Sequence, residues 1–123
     1  MAGHDFTGLW RSRYTYRSSS RDGEFEGAHT VRLQQKGNRV VAESVPEAGR
    51  SYVLIRLTLD DGVATGSWQE QTEKDGYYKG AVYHGAIQLV ADKDGNQLRG
   101  KWVGFGKDGE VKTGPWELER IEK

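Results

Sequence analysis

The chain has 123 residues with no Cys, 18 Lys and Arg against 18 Asp and Glu, 17 Gly, 2 Pro and 3 His. That length suits one domain able to bury roughly two-thirds of its unfolded surface without a disulfide or metal staple. Zero net charge removes the electrostatic footprint of a duplex nucleic-acid binder or a membrane-surface protein, and the absence of Cys removes disulfides, thiolate nucleophiles and zinc fingers.

Many glycines with few prolines point to the turns and bulges of a β protein. No run approaches 18 apolar residues, and the Met1-Ala2-Gly3-His4-Asp5 start lacks the features of a signal peptide, so a soluble, cytoplasmic chain is expected. Along the chain, eight segments alternate with period 2 between turn residues. Phe6 to Arg17 sets Trp10, Tyr14 and Tyr16 on one face against Arg11, Arg13 and Thr15. After a Ser18 to Gly23 loop, Glu24 to Gln35 sets Phe25, His29, Val31 and Leu33 against Glu24, Glu26, Thr30 and Arg32. Lys36-Gly37-Asn38 turns into Arg39 to Val45, whose two faces leave the buried side open.

Beyond the Pro46 to Arg50 loop, Ser51 to Leu59 points Val53, Ile55, Leu57 and Leu59 inward, and Asp60-Asp61-Gly62 closes a hairpin onto Val63 to Thr72. Lys74-Asp75-Gly76 leads to Tyr77 to Ala91, which is long for a strand, with a bend or bulge expected at Gly80 and Gly85. Asp92 to Asn96 is a polar turn, Gln97 to Lys107 carries Leu98 and Trp102, and Asp108-Gly109 leads to Glu110 to Ile121. Eight strands in series leave two long edges unless the first and last pair. The expected fold is therefore all-β, an eight-stranded antiparallel up-and-down barrel of the lipocalin or streptavidin kind, with an open sandwich as the alternative.

All four Trp sit in a Gly-x-Trp unit: Gly8-Leu9-Trp10, Gly66-Ser67-Trp68, Gly100-Lys101-Trp102 and Gly114-Pro115-Trp116. Residues two apart share a strand face, so each glycine can vacate space for a neighbouring indole. The aromatics are either barrel-core packing or a ligand platform. The platform reading gains from Tyr14, Tyr16, His29, Trp68, Tyr83 and Trp102, which leave more polar edges than a dry core readily satisfies.

The stretch GYYKGAVYHGAIQLVAD from Gly76, followed by LRGKWVGFGKDGEVKTGPWELERI and preceded by the opening FTGLWRSRYTY, resembles the C-terminal β-barrel domain of actinobacterial helix-turn-helix (XRE-type) regulators. KWVGFGKD at Lys101 to Asp108 is its most specific part. More distantly, the order of Gly-x-Trp, YHGAIQL, LRGKW and a closing Gly-x-Trp-x-Leu looks like the barrel domain of membrane-anchored CBASS antiphage effectors, which sense cyclic oligonucleotides. The two N-terminal transmembrane helices of those effectors are not present in this sequence. The early Gly-x-Trp is also similar to that of lipocalins (calycins), without their long first loop and C-terminal helix. These resemblances imply a sensor barrel, a nucleotide or cyclic oligonucleotide ligand in antiphage signalling, and fusion to a regulatory or effector domain in a longer protein.

Gly104-Phe105-Gly106-Lys107-Asp108-Gly109 matches GxGxxG but precedes a strand, so the dinucleotide fingerprint does not apply. No Gly-x-Ser-x-Gly, HExxH or P-loop occurs, and Asp and Glu fall mostly in turns or on outward faces, so no enzyme and no cofactor or metal is expected. The expected function is binding of a small, partly aromatic or phosphorylated ligand in the barrel interior or mouth. Tyr14, Trp68 and Trp102 would stack on it, and Tyr16, His29, Tyr83 and His84 would hydrogen-bond it. Arg13, with Arg11, Arg17 and Arg21, could hold a phosphate, and Tyr77-Tyr78-Lys79 could form a lid. The alternatives are a packed barrel serving protein interaction or homodimerisation, and a lipocalin-like carrier of an apolar metabolite.

Overall fold

The computed structural model describes residues 4–18, 23–47, 51–73, 79–106 and 109–123. The alternating segments form β1 (Gly8–Ser18), β2 (Gly23–Lys36), β3 (Arg39–Ser44), β4 (Tyr52–Asp60), β5 (Val63–Gln71), β6 (Val82–Ala91), β7 (Gln97–Phe105) and β8 (Val111–Glu122). Each strand pairs antiparallel with the next, and β1 pairs with β8 to close the barrel. The closing seam runs from Leu9 opposite Glu122 to Tyr14 opposite Trp116, with a register shift between Leu9 and Trp10. Closure leaves no long free edge, which sets the sandwich aside.

On β3, Val40, Ala42 and Ser44 face inward, which decides the side the sequence left open. The strand leading to Ala91 begins at Val82 rather than Tyr77, because Lys79 and Gly80 reverse the chain with φ of 54° and 76°. Residues 74–78, which include Tyr77 and Tyr78 of the expected lid, lie outside the described residues, as do Arg21 and Lys107-Asp108. The bulge expected at Gly85 does not occur: its register runs unshifted between Trp68 on β5 and Gly104 on β7. Glycine is required there for space, since a Cβ would lie 1.8 Å from the Val103 carbonyl oxygen and 2.9 Å from Trp68 Nε1.

The interior divides along the barrel axis. One end is filled by Leu33, Val40, Leu57, Ala64, Leu89, Leu98 and Leu118 around Trp10, all buried. Phe6 covers it, with its N–H donating to Gln35 Oε1 (2.9 Å) and its carbonyl accepting from Trp10 Nε1 (2.8 Å). Arg120 then pins this plug, lying 4.6 Å over the Trp10 ring and donating to the carbonyls of Thr7 (3.0 Å), Asp5 (2.8 Å) and Gly95 (3.2 Å). The up-and-down order places the β1–β2, β3–β4, β5–β6 and β7–β8 connections at the opposite end, and there the aromatics collect.

Candidate functional site at the open end of the barrel

A layer of indoles separates the aliphatic end from the opposite end, which is open in the sense that among the described residues Tyr16 and Tyr83 are only half-buried there. Trp116 lies 4.4 Å from Tyr14 and 5.8 Å from Trp68 between ring centroids, and Trp68 meets Trp102 edge-on at 5.7 Å. Every indole N–H in this layer bonds to the protein itself. Trp116 Nε1 donates to Ser12 Oγ (2.8 Å), Trp102 Nε1 to the Thr15 carbonyl (3.0 Å) and Trp68 Nε1 to the Val103 carbonyl (3.1 Å). The indoles, all buried, therefore have no spare donor.

Glycines make room for them, though not in the one-to-one fashion that Gly-x-Trp suggests. A Cβ on Gly114 would lie 2.8 Å from Trp102 Nε1, so that member of the repeat does seat an indole. Trp68 instead lies over Gly85 and Gly104, where a Cβ would come within 2.9 Å and 2.6 Å of its ring. Gly66 and Gly100 admit backbone: their Cβ atoms would lie 1.7 Å and 1.8 Å from the carbonyl oxygens of Arg56 and Gln88.

Beyond the indoles, four polar side chains from four parts of the chain meet. Tyr14 Oη donates to Glu70 Oε2 at 2.5 Å, and Ser51 Oγ donates to the same oxygen at 2.7 Å. Because the Ser51 proton goes to Glu70, its oxygen accepts from His29 Nε2 at 2.9 Å, which assigns the ring proton to Nε2. Tyr14 lies parallel to His29, with 8° between the rings and 6.0 Å between centroids. Burial first, and then the Glu70 charge and hydrogen bond, hold the Tyr14 phenol well above its ordinary pKa. Tyr16 stacks on Phe25 at 5.8 Å and approaches Tyr14 at 6.1 Å, and half-buried Tyr83 stands opposite Glu70 in the β5–β6 register.

Six of the expected site residues thus share the inner face: Tyr14, Tyr16, His29, Trp68, Tyr83 and Trp102. His84 and Arg13 do not. With no bulge at Gly85, alternation turns Tyr83 inward and His84 outward, where His84 meets the Phe105 ring edge-on at 5.4 Å. Arg13 is exposed on the outer face and forms a 3.6 Å ion pair with Glu117. Arg11 and Arg17 are exposed as well, so the basic residues of β1 lie on the outside of the barrel wall.

Glu70 and Ser51 are the site residues the sequence reading missed. The signal for Glu70 was its position two residues after Trp68, which fixes the same face. Ser51 stands just before β4 and carried no comparable signal. The connectivity also limits the chemistry: the Ser51 hydroxyl gives its proton to a carboxylate rather than to His29, unlike a nucleophile awaiting a base. Among the described residues, no group of three or more His, Asp or Glu is placed to hold a metal ion. Comparison with protein-family models and with curated proteins finds no match to this chain.

Proposed function

We propose that this chain is a non-catalytic, ligand-binding sensory barrel that holds a small, flat, partly aromatic molecule at its open end. One observation carries the reading: the aliphatic end is sealed by Phe6 and Arg120, whereas at the opposite end the described residues gather buried Tyr14 and His29 and half-buried Tyr16 and Tyr83 around a hydrogen-bonded carboxylate. A core serving stability alone has no need of a Tyr-Ser-His-Glu cluster, whose burial is costly wherever a partner is missing. The half-buried rings of Tyr16 and Tyr83 supply stacking surface, backed by the buried Trp68 and Trp102.

A nucleotide or cyclic oligonucleotide remains within this reading as a source of flat rings. Its phosphates would have to be held outside the mouth, since Arg11, Arg13 and Arg17 face away from it. A second reading, a barrel working through its outer surface, is favoured by the exposed Val82, Val103, Phe105 and Val111 on β6, β7 and β8.

The test is a thermal-shift and native mass-spectrometry screen against aromatic amines, aromatic acids, nucleotides, cyclic dinucleotides and fatty acids. A ligand at 100 times its Kd should stabilise the fold by about 2.7 kcal/mol. Stabilisation by flat aromatic compounds with a bound mass supports the proposal. No shift with any class, together with persistent dimers, moves the function to the outer surface.

A further inference from the structure

Glu70 is a half-buried carboxylate beside aromatic rings, and among the described residues it has no counterion. Its Oε2 accepts from Tyr14 and Ser51, while among the described residues no group donates to Oε1 and no Lys or Arg pairs with the carboxylate. Lys112, on the inner face of β8, makes no ion pair with it. Withdrawing a carboxylate even partly from water is costly unless a positive partner is supplied, and here the described residues supply this half-buried group only with neutral hydroxyl donors on one oxygen. Those two donors also fix the group in advance, so Oε1 is oriented before anything binds. The surrounding rings act in the same direction, because aromatic faces attract cations and do not attract anions.

Resting on the ligand-binding reading above, we infer that the open end selects an aromatic cation, a flat ring bearing an ammonium, amidinium or protonated ring nitrogen. The cationic nitrogen pairs with Glu70 Oε1 while the ring lies against the open-end aromatics. The same carboxylate repels a ligand that presents phosphate or carboxylate at that position.

The experiment compares tryptamine with indole-3-acetate, which share a ring and differ in the sign of the side chain, by isothermal titration of the full chain and of Glu70→Gln. The expected result is tryptamine binding at least tenfold tighter than indole-3-acetate to the native chain. Glu70→Gln should remove most of that preference while the melting temperature changes little. Should Glu70→Gln fail to fold, the preference in the native chain and its weakening with added salt decide the matter. Equal binding of both indoles, or a preference unchanged in Glu70→Gln, overturns the cation inference and leaves the aromatic-ligand reading standing. Tighter binding of indole-3-acetate, or of guanosine monophosphate, overturns it also. Binding of neither indole nor any other flat aromatic compound overturns both.

Discussion

The two ends of this barrel are built from the same alternating strands and are filled differently. At the Phe6 end, branched aliphatic side chains meet Trp10, and backbone groups are satisfied by the Trp10 indole, the Gln35 amide and the Arg120 guanidinium. At the other end the inward positions hold Tyr, Trp, His, Ser and Glu, and the hydrogen bonds among Tyr14, Ser51, His29 and Glu70 run between side chains. The first arrangement removes apolar surface from water at small polar cost. The second orders polar groups that water would have served equally well, so its contribution to net stability is small and its value lies in holding fixed chemistry at an opening.

The sharpest way to break this comparison is to remove a large side chain from the inner layer. Trp116→Ala deletes a fully buried indole and leaves Ser12, also fully buried, without its donor, so a loss of about 3–5 kcal/mol is expected in urea unfolding. Tyr83→Ala, at the half-buried open end, should cost distinctly less; equal losses would show that Tyr83 is packed as firmly as the indole layer beneath it. Next in size, Arg120→Ala frees the plug at the aliphatic end and should lower stability by about 1–3 kcal/mol. Arg120→Lys should recover little, because one ammonium cannot span the Thr7, Asp5 and Gly95 carbonyls as the guanidinium does.

Alkaline titration probes the open end. The phenol of Tyr14 is raised in the folded state, so above pH about 10 the unfolded chain releases its proton first and stability falls as pH rises, by up to about 1.4 kcal/mol per unit. The contribution is fully present below pH about 10 and disappears as pH passes the folded-state value. Tyr14→Phe should flatten that part of the profile in equilibrium unfolding followed against pH; an unchanged alkaline slope would mean that Tyr14 is not its source. The smallest expected effects are at His84 and Arg13. His84→Ala and Arg13→Ala should change stability by no more than about 0.5 kcal/mol and leave ligand affinity unaltered, since both side chains are outside the wall. A tenfold loss of affinity in either would place the binding site on the outer face.

Strand count and barrel closure were legible because alternation survives in every segment and each turn is marked by Gly, Asp or Asn. The inner aromatic face was legible for the same reason, down to Tyr14, Tyr16, His29, Trp68, Tyr83 and Trp102. His84 was misplaced through Gly85: a bulge there would alter the parity of the strand, whereas the glycine in fact admits the Val103 carbonyl without a shift. Glu70 was passed over because a charged residue on a strand usually faces water. Its hydrogen bonds to Tyr14 and Ser51 span 56 and 19 residues of sequence; the first arises only when β1 and β5 face each other across the barrel, the second when β4 pairs with β5. Which indole occupies which glycine was equally hidden, because it depends on the stagger between strands rather than on spacing within one.

The division of labour between the ends can be read directly from the four indole N–H resonances in a ¹H–¹⁵N correlation spectrum during titration with tryptamine. Trp68 and Trp102 border the open end, Trp116 lies behind them and Trp10 sits at the plugged end. The account predicts large shifts for Trp68 and Trp102, a smaller one for Trp116 and none for Trp10. A saturable titration in which Trp10 moves most, or in which only outer-face amides around Phe105 and Val111 move, would contradict it.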